Sequence, residues 1–297
     1  MMQNNILMLK YEMPFEWAAL LRFFALRTIL GVEETTSSLY RRTIRLNDTI
    51  GVLQVSNIQI SNAEGLLQVE FWLPFNALTQ DTIVRLRTMF DLDANLPEIA
   101  LHLSRDPVMA ELVRKRPHLR IPGGWDTFEV AIRAVLGQQV SIAAAVVLAV
   151  RLVARCGEDL PESPFPSLNR LFPTPHALIA ADLSGMGMPG ARVTALKAVA
   201  EAFIEDPFLF RKGSSTEETV ARLRRIKGIG DWTAQYIAIR ACREFDAFPA
   251  GDAGILRGLT DASGRPKESD IRARAESWSP YRAYAAHHIW VNDEMKE

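Results

Sequence analysis

The chain has 297 residues, of which 48% are hydrophobic and 23% are charged, and its formal net charge at pH 7 is −1. This length and composition predict two or three globular domains and argue against a disordered chain. The near-neutral total excludes binding of a polyanion through bulk charge alone, although a local basic face is compatible with that total.

Cysteine content and hydropathy exclude several other classes of protein. The two cysteines, Cys156 and Cys242, are too few for a disulfide framework or for a four-cysteine zinc or iron–sulfur site. The N-terminus lacks a basic segment followed by a long apolar run, and no stretch approaches about 20 uninterrupted apolar residues. We therefore expect a cytoplasmic protein that does not associate with membranes.

The first third of the chain mixes strand and helix patterns. Short stretches between residues 41 and 73 alternate apolar and polar side chains, which is typical of half-buried strands. Helical patterns flank them over residues 15–30 and 75–90. Residues 1–92 are therefore predicted to form a small α+β domain with an antiparallel sheet.

The remaining chain, residues 93–297, shows almost no alternation. It reads as successive helices of ordinary length separated by turns that contain Gly, Pro and Asp. We predict an all-helical region here, so that the fold as a whole is mainly α.

One helical pattern in this region is interrupted. Gly137, Gln138 and Gln139 break an apolar run, and glycine costs roughly 1 kcal/mol relative to alanine inside a helix. The interruption predicts either a plain corner between two helices or a polar loop presented to a ligand.

A helix-hairpin-helix pattern occupies residues 216–242. Its two helical segments are joined by Lys227, Gly228, Ile229 and Gly230. Gly228 suits a positive φ at the end of the first helix, and Gly230 leaves the first amides of the second helix uncovered. Bare amides at a helix N-terminus bind anions, most often phosphate. A plain turn between two helices remains the alternative.

Two aspartates follow the hairpin. Asp231 begins the second helix, and we expect its carboxylate to point away from an incoming phosphate. Asp252 directly precedes another helical pattern and is a natural N-cap. The helix dipole that favours a capping aspartate also keeps it ionised, so a structural and a chemical role can coexist.

Taken together, these motifs resemble the helix-hairpin-helix superfamily of DNA glycosylases. The runs IRAVLGQQVS at 132–141, GMGMPGARVTAL at 185–196 and WSPYRAYAAHHIW at 278–290 are similar to the 3-methyladenine DNA glycosylase II branch. The likeness spans nearly the whole chain. It implies an N-terminal α+β domain and two helical subdomains, whose cleft holds a base flipped out of damaged double-stranded DNA. It further implies a monomeric enzyme that excises 3-methyladenine, 7-methylguanine and related lesions and leaves an abasic site.

The resemblance assigns the catalytic and base-pocket roles position by position. Asp252 matches the essential aspartate, and Trp232, Tyr236 and Trp290 match aromatic residues that line the base pocket. Gly251, which precedes Asp252, departs from the paired carboxylates of that branch.

The resemblance also assigns residues to DNA binding. The hairpin from Lys227 to Gly230, including Gly228 and Ile229, matches the backbone element that holds a DNA phosphate. In relatives a monovalent ion, Na⁺ or K⁺, often binds there on carbonyl oxygens, here those of Lys227 and Ile229. No metal ligand from a side chain, no iron–sulfur cluster and no other cofactor is implied. Gln139 matches the residue that fills the gap left by the flipped base, with Gln138 as a neighbouring candidate.

Elementary chemistry supports these roles. Alkylation at a ring nitrogen makes a purine cationic, so that electron-rich rings attract it and it becomes a good leaving group. The residue then most needed is an anion near the sugar, and Asp252 fits that need. Bifunctional relatives carry a lysine nucleophile at the position of Trp232, so we expect no strand cleavage through this position.

Ten basic residues are predicted to lie around the DNA-binding face and to make DNA binding salt-sensitive. They are Arg222, Arg224, Arg225, Lys227, Arg257, Arg265, Lys267, Arg272, Arg274 and Arg282. Two other functions stay open: a glycosylase for deaminated or oxidised bases, and a non-catalytic damage-binding protein in which Asp252 only caps a helix.

Overall fold

The computed structural model describes most of the chain and has the predicted fold class. The described residues are 3–46, 49–60, 64–73, 79–261 and 264–294. They form a five-stranded antiparallel sheet with two helices in the N-terminal third, followed by a long succession of helices. The predicted division of the chain after residue 92 stays a prediction.

The sheet begins earlier in the chain than the pattern predicts. Its strands are β1 (Gln3–Glu12), β2 (Glu33–Thr35), β3 (Leu39–Leu46), β4 (Thr49–Gln59) and β5 (Glu64–Leu73), in the order β1-β5-β4-β3-β2. β1 and β2 are additions to the predicted strands. β1 escaped the prediction because its solvent face carries the exposed apolar residues Ile6 and Met8 opposite the buried Leu9 and Tyr11, which hides the alternation.

Two helices cover this sheet and close its core. Helix α1 (Trp17–Ala25) is shorter than the predicted 15–30 segment and buries Trp17, Leu20, Leu21 and Phe24. Helix α2 (Gln80–Met89) forms the described part of the predicted 75–90 helix; residues 74–78 lie outside the described residues. Thr79 caps α2 with a capping box, which explains why the helix begins there.

The rest of the described chain is mainly helical. The helices are α3 (Leu96–Leu103), α4 (Pro107–Lys115), α5 (Thr127–Leu136), α6 (Ile142–Cys156), α7 (Pro175–Ala180), α8 (Gly190–Glu205), α9 (Thr216–Arg224), α10 (Asp231–Ile237), α11 (Ala253–Gly258), α12 (Glu268–Ala275) and α13 (Arg282–Glu294). A π-helical turn, Ala238–Cys242, continues α10, and a 3₁₀ turn, Glu276–Trp278, follows α12. None of the described helices has the length and apolar content that crossing a membrane requires.

A small ladder corrects the prediction that this region is wholly helical. Strands β6 (Glu158–Asp159) and β7 (Arg170–Leu171) pair with each other in antiparallel fashion. Two residues are too few to show alternation, and the ladder depends on tertiary contacts. Thr43 of β3 donates a hydrogen bond to the carbonyl of Arg170 at 2.7 Å, so the loop is tied to the sheet.

Buried ion pairs join the sheet to the helices, and we call these four charged residues the junction network: Glu33, Arg42, Glu129 and Arg133. Arg42 and Arg133 each contact both carboxylates, with N–O distances from 2.5 to 3.8 Å. Glu33 also accepts a hydrogen bond from the Tyr40 hydroxyl at 2.6 Å. Each charge therefore has partners of the opposite sign, which offsets the cost of taking it out of water.

Candidate active site

The helix-hairpin-helix has the predicted glycine geometry. Helix α9 starts at its N-cap Ser215, and the chain turns at Gly228, whose φ is +85°. A Cβ at Gly228 would lie 2.5 Å from the Cβ of Ala195 on α8, so packing as well as φ requires glycine. Gly230 is the N-cap of α10, and apart from its chain neighbours no described atom lies within 4 Å of the place where its Cβ would be. Packing therefore does not require glycine at this N-cap.

The interrupted helix forms a loop beside this hairpin. Helix α5 ends at Leu136 and α6 begins after its N-cap Ser141, which confirms the predicted break. The Gln138 side chain donates hydrogen bonds of 3.0 Å to the Gly228 carbonyl and to the Thr233 hydroxyl. Gln139 is exposed and has a φ of +55°. Gln138 thus ties the loop to the hairpin, and Gln139 forms its exposed tip.

Asp252 occupies the centre of the site. It is the N-cap of α11, and its Oδ1 accepts a hydrogen bond of 3.0 Å from the Ile255 amide. Oδ1 also accepts from the indole Nε1 of Trp290 at 2.8 Å, and Oδ2 accepts from that of Trp232 at 2.5 Å. The described residues offer it no ion pair within 4.0 Å. Three neutral donors therefore hold the carboxylate in one orientation without cancelling its charge.

The three predicted aromatic residues come together beside this carboxylate. Trp232 and Tyr236 stack with ring centroids 5.4 Å apart and an interplanar angle of 20°. Tyr236 and Trp290 approach to 6.0 Å with tilted rings. All three are half-buried. The structure thus places one carboxylate at the edge of an aromatic wall, although the sequence did not reveal that two of the indoles bind that carboxylate.

Two further residues of the cluster were missed by the sequence analysis. The guanidinium carbon of Arg240 lies 5.7 Å from the ring centroid of Tyr236, 5.5 Å from that of Trp290 and 4.6 Å from that of Phe23. Arg240 follows Tyr236 by four residues, and this spacing places both on one helix face and could have indicated the contact. Phe23 belongs to α1 in the N-terminal domain, and nothing local indicates its place here.

The charges around the hairpin are partly paired. Asp231 lies 3.8 Å from both Arg224 and Arg272, and its orientation relative to a bound phosphate stays a prediction. Other predicted basic residues are bound to carboxylates: Arg257 to Asp293, Arg274 to Asp106 and Arg282 to Asp246. The exposed Arg225 and Lys227 lie next to the hairpin in the chain. Fewer free cations therefore face solvent here than the sequence suggests.

Comparison with known proteins agrees with this geometry. Residues 6–126 match the AlkA N-terminal domain, and residues 132–283 match the HhH-GPD superfamily base excision DNA repair protein family. The chain is 33% identical to DNA-3-methyladenine glycosylase 2 of Escherichia coli over 292 residues, which cover 96% of each chain.

Solved structures show the same fold. The 3-methyladenine DNA-glycosylase from Archaeoglobus fulgidus superposes with a TM-score of 0.80 at 22% identity, covering 98% of this chain and 99% of that one. The Schizosaccharomyces pombe 3-methyladenine DNA glycosylase, solved in complex with abasic DNA, is 26% identical with a TM-score of 0.53, covering 65% of this chain and 95% of that one. Sequence and fold agree: the chain belongs to the HhH-GPD superfamily of base excision DNA repair proteins and carries the AlkA N-terminal domain.

Proposed function

We propose that this protein is a monofunctional DNA glycosylase that flips alkylated bases, such as 3-methyladenine and 7-methylguanine, out of duplex DNA and hydrolyses the N-glycosidic bond. The observation that carries the proposal is the Asp252 carboxylate, held by the indoles of Trp232 and Trp290 at the edge of the aromatic cluster. Membership of the base excision repair family supports the reaction class.

Asp252 has the features that departure of a base requires. Cleavage of the glycosidic bond develops positive charge on the sugar, which a fixed anion stabilises without reorganising at the moment of reaction. Neutral hydrogen-bond donors orient Asp252 but leave its negative charge available to the sugar or to an attacking water. A salt-bridged carboxylate would serve less well, because its partner would cancel that charge.

The aromatic wall supplies a surface for the extruded base. An enzyme that acts on a base takes it out of the stack at a cost of a few kcal/mol and holds it against aromatic or apolar faces. Trp232, Tyr236 and Trp290 present such faces next to Asp252. Ring faces also attract the positive charge of a base alkylated at a ring nitrogen.

Damaged double-stranded DNA is the proposed partner. The uncovered amides after Gly230 suit a phosphate, and the exposed Lys227 and Arg225 add charge nearby. Gln139, at the exposed tip of its loop, is the proposed residue that enters the gap left by the flipped base. The relative solved with abasic DNA supports this class of partner.

The hairpin also fits a bound Na⁺ or K⁺. Among the described residues, no hydrogen bond uses the carbonyl oxygens of Lys227 or Ile229, whereas that of Gly228 accepts from Gln138. Carbonyl oxygens are suitable ligands for such hard cations. An ion held there would add positive charge for a DNA phosphate.

Strand cleavage is not part of the proposal. A lyase reaction needs an amine nucleophile, and at the position where bifunctional relatives carry lysine this chain has Trp232, whose Nε1 donates to Asp252.

The test is release of free methylated bases from methylated duplex DNA by the wild-type protein and by Asp252→Asn. Asparagine still caps a helix, so we expect folding and DNA binding to persist while base release falls by at least about 10³-fold. Asp126→Asn is the matched control, because Asp126 caps α5 through the Glu129 amide at 3.0 Å and lies outside the cluster.

The outcome separates the remaining alternatives. Base release that survives Asp252→Asn would contradict the role of Asp252. A wild-type protein that binds DNA tightly but releases no methylated base would favour a damage-binding protein or a glycosylase for deaminated or oxidised bases, which defined lesions would then distinguish.

A further inference from the structure

A buried positive charge lies against the aromatic cluster. Arg240 is 4% exposed, and its guanidinium lies within 6 Å of the ring centroids of Phe23, Tyr236 and Trp290. Tyr236 and Trp290 are also the rings proposed to contact the extruded base. The cation therefore contacts two of the rings against which the extruded base is proposed to lie.

No described carboxylate neutralises this charge within ion-pair distance. Arg240 donates to the Pro122 carbonyl at 2.8 Å, makes a long contact of 3.5 Å to Nδ1 of His287, and has a buried Nε without a partner. Burial lowers the pKa of Arg240 to about 10, so the guanidinium stays charged near pH 7. A second guanidinium, that of Arg27, lies 3.9 Å from the Phe23 centroid and pairs with Glu294 at 3.1 Å.

A cation at this place has opposite effects on cationic and neutral bases. Its attraction to the ring faces uses the same negative quadrupole that would attract a cationic base. Its charge also repels that base directly, because water that would screen the two charges is excluded. A neutral base escapes the direct repulsion and stacks on rings that the guanidinium polarises.

We propose that Arg240 is a specificity-determining residue that lowers the preference of the pocket for cationic alkylated purines relative to neutral lesions. The inference rests on the proposed glycosylase function. It assigns Arg240 an electrostatic role beyond packing. The positive charge of Arg240, and not its shape, should therefore decide which of two lesions is excised more efficiently.

The test compares excision of 7-methylguanine, which is cationic, with excision of hypoxanthine, which is neutral, from otherwise identical duplexes. The measured quantity is the ratio of the two single-turnover efficiencies within each protein, so that an inactive fraction cancels. Arg240→Met should raise the ratio of 7-methylguanine to hypoxanthine by about tenfold, because it removes the charge but keeps an unbranched chain. Arg240→Lys, which keeps the charge, should stay within about threefold of the wild-type ratio.

A surface variant tests the same electrostatics without touching the core. Glu294 is the carboxylate that pairs with Arg27, and its side chain is 25% exposed. Glu294→Gln leaves more positive charge near the cluster and should lower the ratio by about twofold to threefold. Because Glu294 lies outside the buried core, the inference remains testable if Arg240→Met does not fold.

The outcomes distinguish this inference from the proposed function. A raised ratio in Arg240→Met, or a lowered ratio in Glu294→Gln, supports the role of Arg240. Ratios that do not change in the folded variants, with base release retained, overturn the inference and leave the glycosylase proposal intact. A wild-type protein that releases neither base overturns both.

Discussion

The molecule contains two groups of buried or half-buried charges that are arranged in opposite ways. In the junction network, Glu33, Arg42, Glu129 and Arg133 lie within a closed set of ion pairs. In the aromatic cluster, the described partners of the Asp252 carboxylate are all neutral donors, and the guanidinium of Arg240 contacts aromatic rings and a carbonyl. Paired charges join parts of the fold, whereas charges without an ionic partner remain available to a ligand.

The largest expected effect on stability comes from removing one carboxylate of the junction network. Glu129→Gln removes one carboxylate and leaves the buried Arg42 and the half-buried Arg133 with an incomplete set of partners, so we expect a loss of about 4 kcal/mol in the free energy of unfolding. The melting temperature should fall by roughly 10 °C, measured by calorimetry.

The control for this variant is an exposed ion pair. Glu111→Gln removes the partner of Lys115, at 2.9 Å on the surface of α4, and should leave the melting temperature nearly unchanged. A similar fall in melting temperature in both variants would show that burial of the junction network adds nothing to its contribution to stability.

The next effect concerns a buried histidine, His288, that is neutral in the folded protein near pH 7. Burial, together with the nearby charge of Arg116, lowers the pKa of His288 to about 4, below its ordinary value of 6.5. The unfolded chain therefore binds a proton between these two values that the folded chain does not. This contribution to stability is complete above about pH 6.5 and decreases as the pH falls toward 4, by at most about 3 kcal/mol.

Chemical denaturation at several pH values measures the slope of the free energy of unfolding against pH. His288→Gln should flatten it, whereas a change at the exposed His176 controls for loss of an imidazole from the surface. A slope that is the same in His288→Gln and in the wild-type protein would contradict the assignment.

The two hairpin glycines differ in the same way: Gly228 is required by the fold, whereas Gly230 is proposed to serve DNA binding. Gly228→Ala meets a positive φ of 85° and a contact of 2.5 Å with Ala195, so we expect a loss of about 2 kcal/mol in stability. Gly230→Ala meets no neighbour within 4 Å and should keep its stability while weakening DNA binding, because the added methyl group covers the first amides of α10. Denaturation and titration with abasic-site DNA separate the two effects, and equal loss of stability in both variants would contradict this distinction.

The smallest expected effect comes from removing one of the neutral hydrogen-bond donors to Asp252 in the aromatic cluster. Trp232→Phe keeps an aromatic face but removes the hydrogen bond to Oδ2 of Asp252, so the rate of base release should fall by about tenfold with little change in melting temperature. Tyr236→Phe is the control, because it removes a hydroxyl without a hydrogen bond to that carboxylate. If both variants lose the same activity, Trp232 acts only as a surface for the base.

The sequence indicated the chemistry of the site better than its connections. The helix-hairpin-helix pattern and its glycines and caps follow local rules, whereas the roles of Asp252, Trp232, Tyr236 and Trp290 come from the resemblance and stay predictions. The hydrogen bonds from Trp232 and Trp290 to Asp252 span 20 and 38 positions of the chain, so no helical or strand period indicates them. For the same reason Phe23, more than 200 positions before Asp252, could not be placed in the cluster from sequence.

The sequence by itself determined that a small antiparallel sheet precedes a mainly helical region, and that the helical pattern breaks near Gly137 and at the hairpin glycines Gly228 and Gly230. These properties depend on neighbours within a few residues, through side-chain periodicity, capping and the φ preference of glycine. Only the tertiary structure decided that β1 joins the sheet, that Gln138 ties its loop to the hairpin, and that Arg240 lies against Phe23 and Trp290. Those contacts form between distant segments, because the free energy of burial depends on which surfaces meet in the folded chain and not on their order along it.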